Sequence, residues 1–404
     1  MSTEAHLQRH LGLGLLTFYG LGTIVGAGIY VLISEVARVS GSDMPAAFAV
    51  AGIIAALTGA CYAELSTRFP QAAGAVLYID RAFSRPALSV VAGFMLLVTG
   101  IVSAATISKG FVGYLAIYVD VSATTAIIGL CLIMGIITSM GIRESASIIA
   151  GITLLELLGL AIAIWFSSSG PALEPAAVDS SWAGPGPILI GAFLAFYAFI
   201  GFEDMVNLAE EVHDPETTLP KAILLSIGLS VLLYVVIAIV AVNHVTIDDL
   251  VASTSPLALM VGDRENVIRI IGFIGVIAIS NGALTQIIMA SRVIYGMAKR
   301  GLLPARFGEI NHITSTPVAN TWLVTVIIAV CALSLPLVTL ASVTSTFMLL
   351  TFVLVNLALI RVKRTEPENP NGYFRVPLWV PYASLLVNSS LLLFQLWELL
   401  SRIG

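Results

Sequence analysis

Long apolar stretches recur along the whole chain, and they restrict its fold more than any other feature. A bilayer core is crossed by roughly 20 apolar residues in helical form. Eleven stretches qualify as spans: residues 13–36, 44–66, 87–118, 123–141, 145–166, 187–212, 221–243, 267–297, 318–336, 339–360 and 376–400. With 58% hydrophobic and only 11% charged residues, and a mean hydropathy of +0.99, the chain reads as an all-α polytopic membrane protein. The stretch after residue 12 is too long for a signal peptide and lacks a cleavage site, so the first span is expected to be retained.

Cys61, Cys131 and Cys331 each fall inside an apolar span, which gives neither a disulfide framework nor a metal-ligand spacing. They read as packing residues. Basic residues set the expected orientation. With the N-terminus in the cytoplasm, Arg9, Arg68, Arg81, Arg85, Arg143, Lys299, Arg300 and Arg361 fall inside, and only Arg38, Arg264, Arg269 and Arg402 fall outside. The expected location is the plasma (inner) membrane. The net charge of -5 is spread over loops on both sides, and nothing points to nucleic acid.

Two spans carry glycines where a bilayer helix should be regular. The first contains Gly22-Thr23-Ile24-Val25-Gly26-Ala27-Gly28-Ile29-Tyr30, and the sixth contains Phe196-Tyr197-Ala198-Phe199-Ile200-Gly201-Phe202-Glu203-Asp204. Non-helical backbone at membrane depth survives only where it is buried in protein or lines a cavity. Gly22 and Gly26 alone also fit a GxxxG packing face. The carboxylates after Gly201 favour a break, because they are costly in a continuous lipid-facing helix.

Each interrupted span leads a set of five. Five is odd, so the two sets are inverted relative to each other, as in secondary transporters built from inverted repeats. The expected organisation is one transmembrane domain, with repeats at about 12–166 and 187–361 and an additional helix at about 376–400.

From Gly12 to Arg361 the chain resembles the amino acid-polyamine-organocation transporter superfamily, whose members share the leucine-transporter fold. Gly26-Ala27-Gly28-Ile29-Tyr30 is similar to its first-helix signature, and Cys61-Tyr62-Ala63-Glu64-Leu65-Ser66-Thr67-Arg68-Phe69-Pro70 to the end of its second helix. Gly201-Phe202-Glu203 with Ala209-Glu210-Glu211-Val212-His213-Asp214-Pro215 resembles its sixth helix and following loop. The run from Ala290 to Pro304 resembles the eighth helix and its exit. Many members have twelve spans, whereas eleven are counted here.

An amino acid brings two charges into low dielectric, and each must be paired or hydrogen-bonded. The N–H groups of Gly26, Ala27 and Gly28, at the start of the second half of span one, suit a carboxylate. The carbonyls at the end of the first half of span six, from Tyr197 through Ala198 and Phe199 to Ile200, suit the ammonium, together with Ile24 and Val25 of span one. The resemblance implies the same backbone roles. Phe196, Tyr197, Phe199 and Phe202 are candidates for the side-chain pocket, with core packing as the alternative for each. Tyr197 stands where some members have a tryptophan. No acid is evident in the outward part of the pocket, which favours neutral substrates.

Proton-coupled relatives have a fifth-helix lysine beside the first-helix break in place of a sodium ion. Here the corresponding position falls on Glu156. An isolated carboxyl group in an apolar span can load and release a proton. The structural alternative is a protonated group hydrogen-bonded to a backbone carbonyl. Glu203 is a second coupling candidate, and Ser280 a thin candidate for a sodium ligand. Glu64, Arg68 and Arg292 read as paired or snorkelled charges at the cytoplasmic face, with an inner gate as the alternative, and Lys109 as interfacial or paired. No nucleophile–base constellation, phosphate loop, cofactor motif or metal cluster is present in the sequence, so an enzyme is not expected. The expectation is a secondary active amino acid transporter, with the proton as coupling ion and sodium possible. Its alternatives are an ion-independent exchanger of amino acids or amines and, more remotely, a passive channel or sensing receptor.

Overall fold

The computed structural model describes residues 11–71, 74–140, 146–170, 184–299, 301, 303–311, 314, 316–366 and 374–401. The stretch with His6, Arg9 and His10, the residues Arg143, Glu144 and Ser145, the loop 171–183, Arg300, Arg402 and the side chain of Ala27 lie outside it.

A helix lies over every expected span. In chain order these are α1 (Leu13–Ser40), α2 (Met44–Arg68), α3 (Pro86–Leu115), α4 (Ala123–Ser139), α5 (Ala146–Ser168) and α6 (Pro185–Phe196), followed by α7 (Pro215–His244), α8 (Glu265–Lys299), α9 (Val318–Ser334), α10 (Leu337–Thr365) and α11 (Trp379–Ser401). Among the described residues, eight helical stretches are long and apolar enough to cross a membrane by length and composition, the first of them running through both α1 and α2. The helices α4 and α9 are shorter and apolar. Among the described residues there is no sheet, only an isolated bridge between Leu11 and Val212. The chain is therefore an all-helical, polytopic membrane protein.

Packing sorts most of these helices into two groups. Helices α1 and α2 pack on α6 and α7, whereas α3 and α4 pack on α8 and α9. Helix α5 lies against α1 and α8, and α10 against α3 and α2. Side chains that would be a liability in water, such as Ile133, Ile136, Trp165, Leu232 and Leu386, are exposed, as expected of a surface that meets lipid. Cys61 and Cys131 are buried, Cys331 is half-buried, and all three are unbridged.

Helix α11 is joined to the rest through polar groups, which substitute for the hydrophobic drive that helices lack inside lipid. Asn388 Nδ2 donates to Thr58 Oγ1 on α2 at 2.9 Å, and Asn356 Nδ2 on α10 donates to Ser384 Oγ at 2.9 Å. At the end of α2, Glu64 Oε1 accepts from Arg68 Nη2 at 2.8 Å. Its other oxygen takes Lys363 Nζ at 2.7 Å and the Val376 N–H at 2.9 Å. Of the expected inner-face charges, Glu64 and Arg68 thus form a buried cluster with Lys363 that ties α2, α10 and the stretch of chain leading into α11, whereas Arg292 is exposed on α8. Lys109 has no ion pair among the described residues and is half-buried on α3.

The segment between α7 and α8 covers the C-terminal half of α1. Its two short helices, Ile247–Ala252 and Pro256–Leu259, pack on α1. Ser34 Oγ donates to the Ser253 carbonyl at 3.2 Å, and Arg38 donates to that of Val251 at 3.2 Å.

Candidate substrate site between two helix breaks

The two glycine segments break their helices differently. In α1 the helical path is lost only at Gly26, with φ −25° and ψ −117°, so the break is a single-residue kink. In span six the α-helix ends at Phe196. One 3₁₀ turn follows over Tyr197–Phe199, then extended Ile200, then Gly201 at φ +132°, and a 3₁₀ segment from Phe202 to Glu211.

Gly201 is required on two counts. Its φ is inaccessible to an ordinary L-residue, and a Cβ there would lie 2.3 Å from the carbonyl oxygen of Thr23. Gly28 serves a similar close approach, since a Cβ would lie 2.6 Å from the Cα of Ala198. The two breaks therefore touch. Thr23 Oγ1 also donates to the Gly201 carbonyl at 3.1 Å. Gly22 packs against Thr153 of α5, as the packing alternative anticipated for that residue.

One cavity lies between the breaks. Helix α1 lines it with Gly22, Thr23, Ile24, Gly26 and Gly28, and span six lines it with Tyr197, Ile200 and Asp204. Across from them stand Asn281, Gly282, Thr285 and Gln286 of α8, Ser103 and Ile107 of α3, and Ile149 of α5. The kinked and broken backbones thus share one space. Val25 and Ala198 are buried but do not line it.

Of the four aromatic candidates, only Tyr197 faces the cavity. Its hydroxyl pairs with Ser103 Oγ at 2.9 Å. Phe196 and Phe202 pack on Phe352 of α10, with ring centroids 5.8 and 5.2 Å apart, and Phe202 also meets Tyr62. Phe199 packs on Tyr234 of α7 at 4.9 Å. These three phenylalanines are core residues that hold the break in place.

Tyr234 adds a contact that the sequence did not announce. Its hydroxyl is 2.8 Å from the carbonyl oxygen of Ile24 and 2.9 Å from that of Ala198, two of the oxygens expected to meet an ammonium. A phenol has one proton to give, so at any moment only one of the two carbonyls receives it. The signal was available: a tyrosine deep in an apolar span needs a polar partner.

The coupling candidates separate clearly. Glu156 on α5 is fully buried, and neither carboxyl oxygen has a hydrogen-bond partner. A Cβ on Gly26 would lie 3.8 Å from its Oε1, so the carboxyl group stands beside the kink. The bond to a backbone carbonyl that a purely structural role requires is not formed. Its own backbone carbonyl accepts from Tyr30 of α1 at 2.9 Å. Glu203, by contrast, accepts the Gly201 N–H at 2.9 Å and so holds the break. Ser280 is half-buried on α8 and does not line the cavity.

Sequence reasoning passed over Asp204, Ser103 and the polar run Asn281, Thr285 and Gln286. Spacing on α8 brings the last three to one side, but no sequence signal says which side faces the breaks. Among the described residues, no group of His, Cys, Asp and Glu is arranged to hold a metal ion.

The chain matches a family model described as amino acid permease over residues 11–399. It is 25% identical over 400 residues to the branched-chain amino acid permease BcaP of Bacillus subtilis, covering 92% of this chain and 84% of that protein. It is 28% identical to the vacuolar cationic amino acid transporter 2 of Arabidopsis thaliana, covering 90% of this chain but 61% of that longer protein. A methylthioribose transporter of Bacillus subtilis is 26% identical, with 95% and 87% covered.

Proposed function

The chain belongs to the amino acid permease family, and from that premise we propose that it is a secondary active transporter of L-amino acids, working by alternating access and driven by protons. One observation carries this reading: the kink at Gly26 and the break at Tyr197–Gly201 line the same cavity. A zwitterion needs a donor end and an acceptor end in low dielectric, and two helix breaks supply both.

The carboxylate is assigned to the N–H groups of Gly26, Ala27 and Gly28, at the positive end of the second half of α1. The ammonium is assigned to the carbonyl side, Ile24 and Val25 with Tyr197 to Ile200. Tyr234 fits this arrangement, because its single proton leaves one of the Ile24 and Ala198 carbonyls short of a donor at any moment. Tyr197 is the aromatic residue placed to read the side chain.

The packing of α1 and α2 on α6 and α7, and of α3 and α4 on α8 and α9, is what an inverted repeat of five and five spans calls for. The repeats are assigned to 12–166 and 187–361, with 376–400 as an added eleventh crossing. The N-terminus is assigned to the cytoplasmic side of a plasma membrane, a reading that the distribution of the basic residues supports.

Glu156 is the proposed proton carrier, since it is buried, unpartnered and beside the kink. A proton can neutralise it there, and its position against α1 lets protonation bias the kink. Glu203 is engaged with Gly201, and Ser280 stands off the cavity, so both support coupling less well. Relatives named for branched-chain and for cationic amino acids support the substrate class without choosing a side chain. The outward part of the cavity, at Ser103, Ile107 and Tyr197, carries no acid, which suits neutral side chains.

The test is uptake of labelled amino acids into proteoliposomes, with the pH gradient, sodium and internal substrate varied one at a time. Accumulation driven by inward protons without internal substrate is expected. A strict need for internal substrate would make the protein an exchanger, and a strict need for sodium would move the coupling away from Glu156.

A further inference from the structure

Asp204 is the only carboxylate among the described residues that line the cavity, and its side chain has no hydrogen bond or ion pair with any of them. Its neighbour differs: Glu203 accepts the Gly201 N–H at 2.9 Å. Of two adjacent carboxylates, one holds the backbone and the other faces open space. We propose that Asp204 is a cation subsite on the N-terminal side of the two breaks, receiving the positively charged group of the substrate as it passes between the breaks and that face of the protein.

Three features of the cavity point this way. First, the segment that carries Asp204 runs along the half of α1 that precedes the kink, since Gly201 abuts Thr23 and Met205 abuts Gly20. The other half of α1 lies under the Ile247–Ala252 and Pro256–Leu259 helices, so Asp204 stands on the side away from that cover. Second, the amide oxygen of Gln286, across the cavity on α8, is buried without a donor. Third, no lysine or arginine lines the cavity among the described residues. The lining therefore has unpaired acceptors and no cation of its own. An unneutralised carboxylate in a low-dielectric cleft draws in a cation, and an ammonium brings several N–H donors to the oxygens that lack them.

The assignment rests on the transport reading above and adds a step to it. The ammonium held at the carbonyls of the breaks would move next to Asp204, one 3₁₀ turn beyond Gly201. The group could be the α-ammonium common to all amino acids or the side-chain cation of a basic one, and the two are separable by experiment.

KM for labelled leucine and labelled lysine would be measured from each face of the membrane, in vesicles of opposite orientation, for the wild type, Asp204→Asn and Asp204→Glu. Loss of a hydrogen-bonded charge should raise KM from the N-terminal face about tenfold, leave KM from the other face unchanged, and be largely restored in Asp204→Glu. A rise for both probes assigns the α-ammonium, and a rise for lysine alone assigns the side-chain cation. Unchanged KM for both probes from the N-terminal face overturns the proposal, as does loss of proton-driven accumulation with KM intact, which would make Asp204 a proton carrier. If Asp204→Asn does not fold, Gln286→Leu removes the other unpaired acceptor and must raise KM from the same face. Should the wild type transport neither probe, the transport reading fails, a result distinct from an Asp204 variant that behaves as wild type.

Discussion

The hydroxyl of Tyr234 lies 2.8 Å from the carbonyl oxygen of Ile24, and its second neighbour is the Ala198 carbonyl at 2.9 Å. Helix α7 thereby reaches both breaks with one atom. Removing it in Tyr234→Phe keeps the ring packed on Phe199 and Phe48 but leaves the two carbonyls without that donor. Leaving a buried carbonyl without its donor costs about 1–2 kcal/mol, the lower part of the range for an unsatisfied polar group. The expected result is a roughly five- to thirtyfold fall in kcat/KM for amino acid uptake, a span that follows from 1–2 kcal/mol. Uptake at the wild-type rate would mean that Tyr234 does not position the breaks.

Glu156→Gln retains the shape of the side chain and removes its titratable proton. Exchange of external for internal labelled substrate should persist, because the breaks are untouched. Accumulation driven by an imposed pH gradient should disappear, and with it the steep rise of uptake as the outside is acidified. A variant that still concentrates substrate against its gradient excludes Glu156 as the essential carrier.

Gly201→Ala places a methyl group 2.3 Å from the Thr23 carbonyl oxygen at a backbone φ of +132°. Strain of this kind costs on the order of 1–3 kcal/mol before the clash is counted. The variant should express poorly and elute as an aggregate in size-exclusion chromatography. A stable, monodisperse Gly201→Ala protein would show that the two breaks can separate in the ground state.

Glu64 is held by Arg68, Lys363 and the Val376 N–H, all buried. Neutralising it in Glu64→Gln strands two buried cations, at a cost of about 3–5 kcal/mol. The melting temperature in detergent should fall clearly, while uptake per folded molecule stays near the wild-type value. The opposite pattern, normal melting with transport abolished, would make this cluster a gate instead of an anchor.

Much of the fold was legible because lipid leaves few options: each apolar stretch of the right length became a helix, as the bounds of α2 and α7 illustrate. The break in span six was legible because Gly201 is followed by Glu203 and Asp204, which a regular lipid-facing helix tolerates poorly. Its counterpart in span one falls at Gly26, the one residue there that departs from helical torsion, while Gly22 and Gly28 serve close packing on Thr153 and Ala198.

The site was harder to read than the fold, since sequence periodicity does not tell a cavity wall from a core. Phe196, Phe199 and Phe202 turned to Phe352 and Tyr234, while Tyr197 turned to Ser103 and the cavity. Asp204 and Gln286 gained their interest only when the Phe202–Glu211 segment and α8 were brought to one cavity. That pairing is long-range, and no local signal in either segment encodes it.

The central claim is that one amino acid sits between the two breaks. The most direct measurement is an electron cryomicroscopy map of the purified protein with its transported amino acid bound. The account predicts ligand density with the carboxylate at the N–H groups of Gly26 to Gly28 and the ammonium on the side of Ile24 and Tyr197 to Ile200. Density for the amino acid elsewhere, with this cavity empty or holding only water, would contradict it.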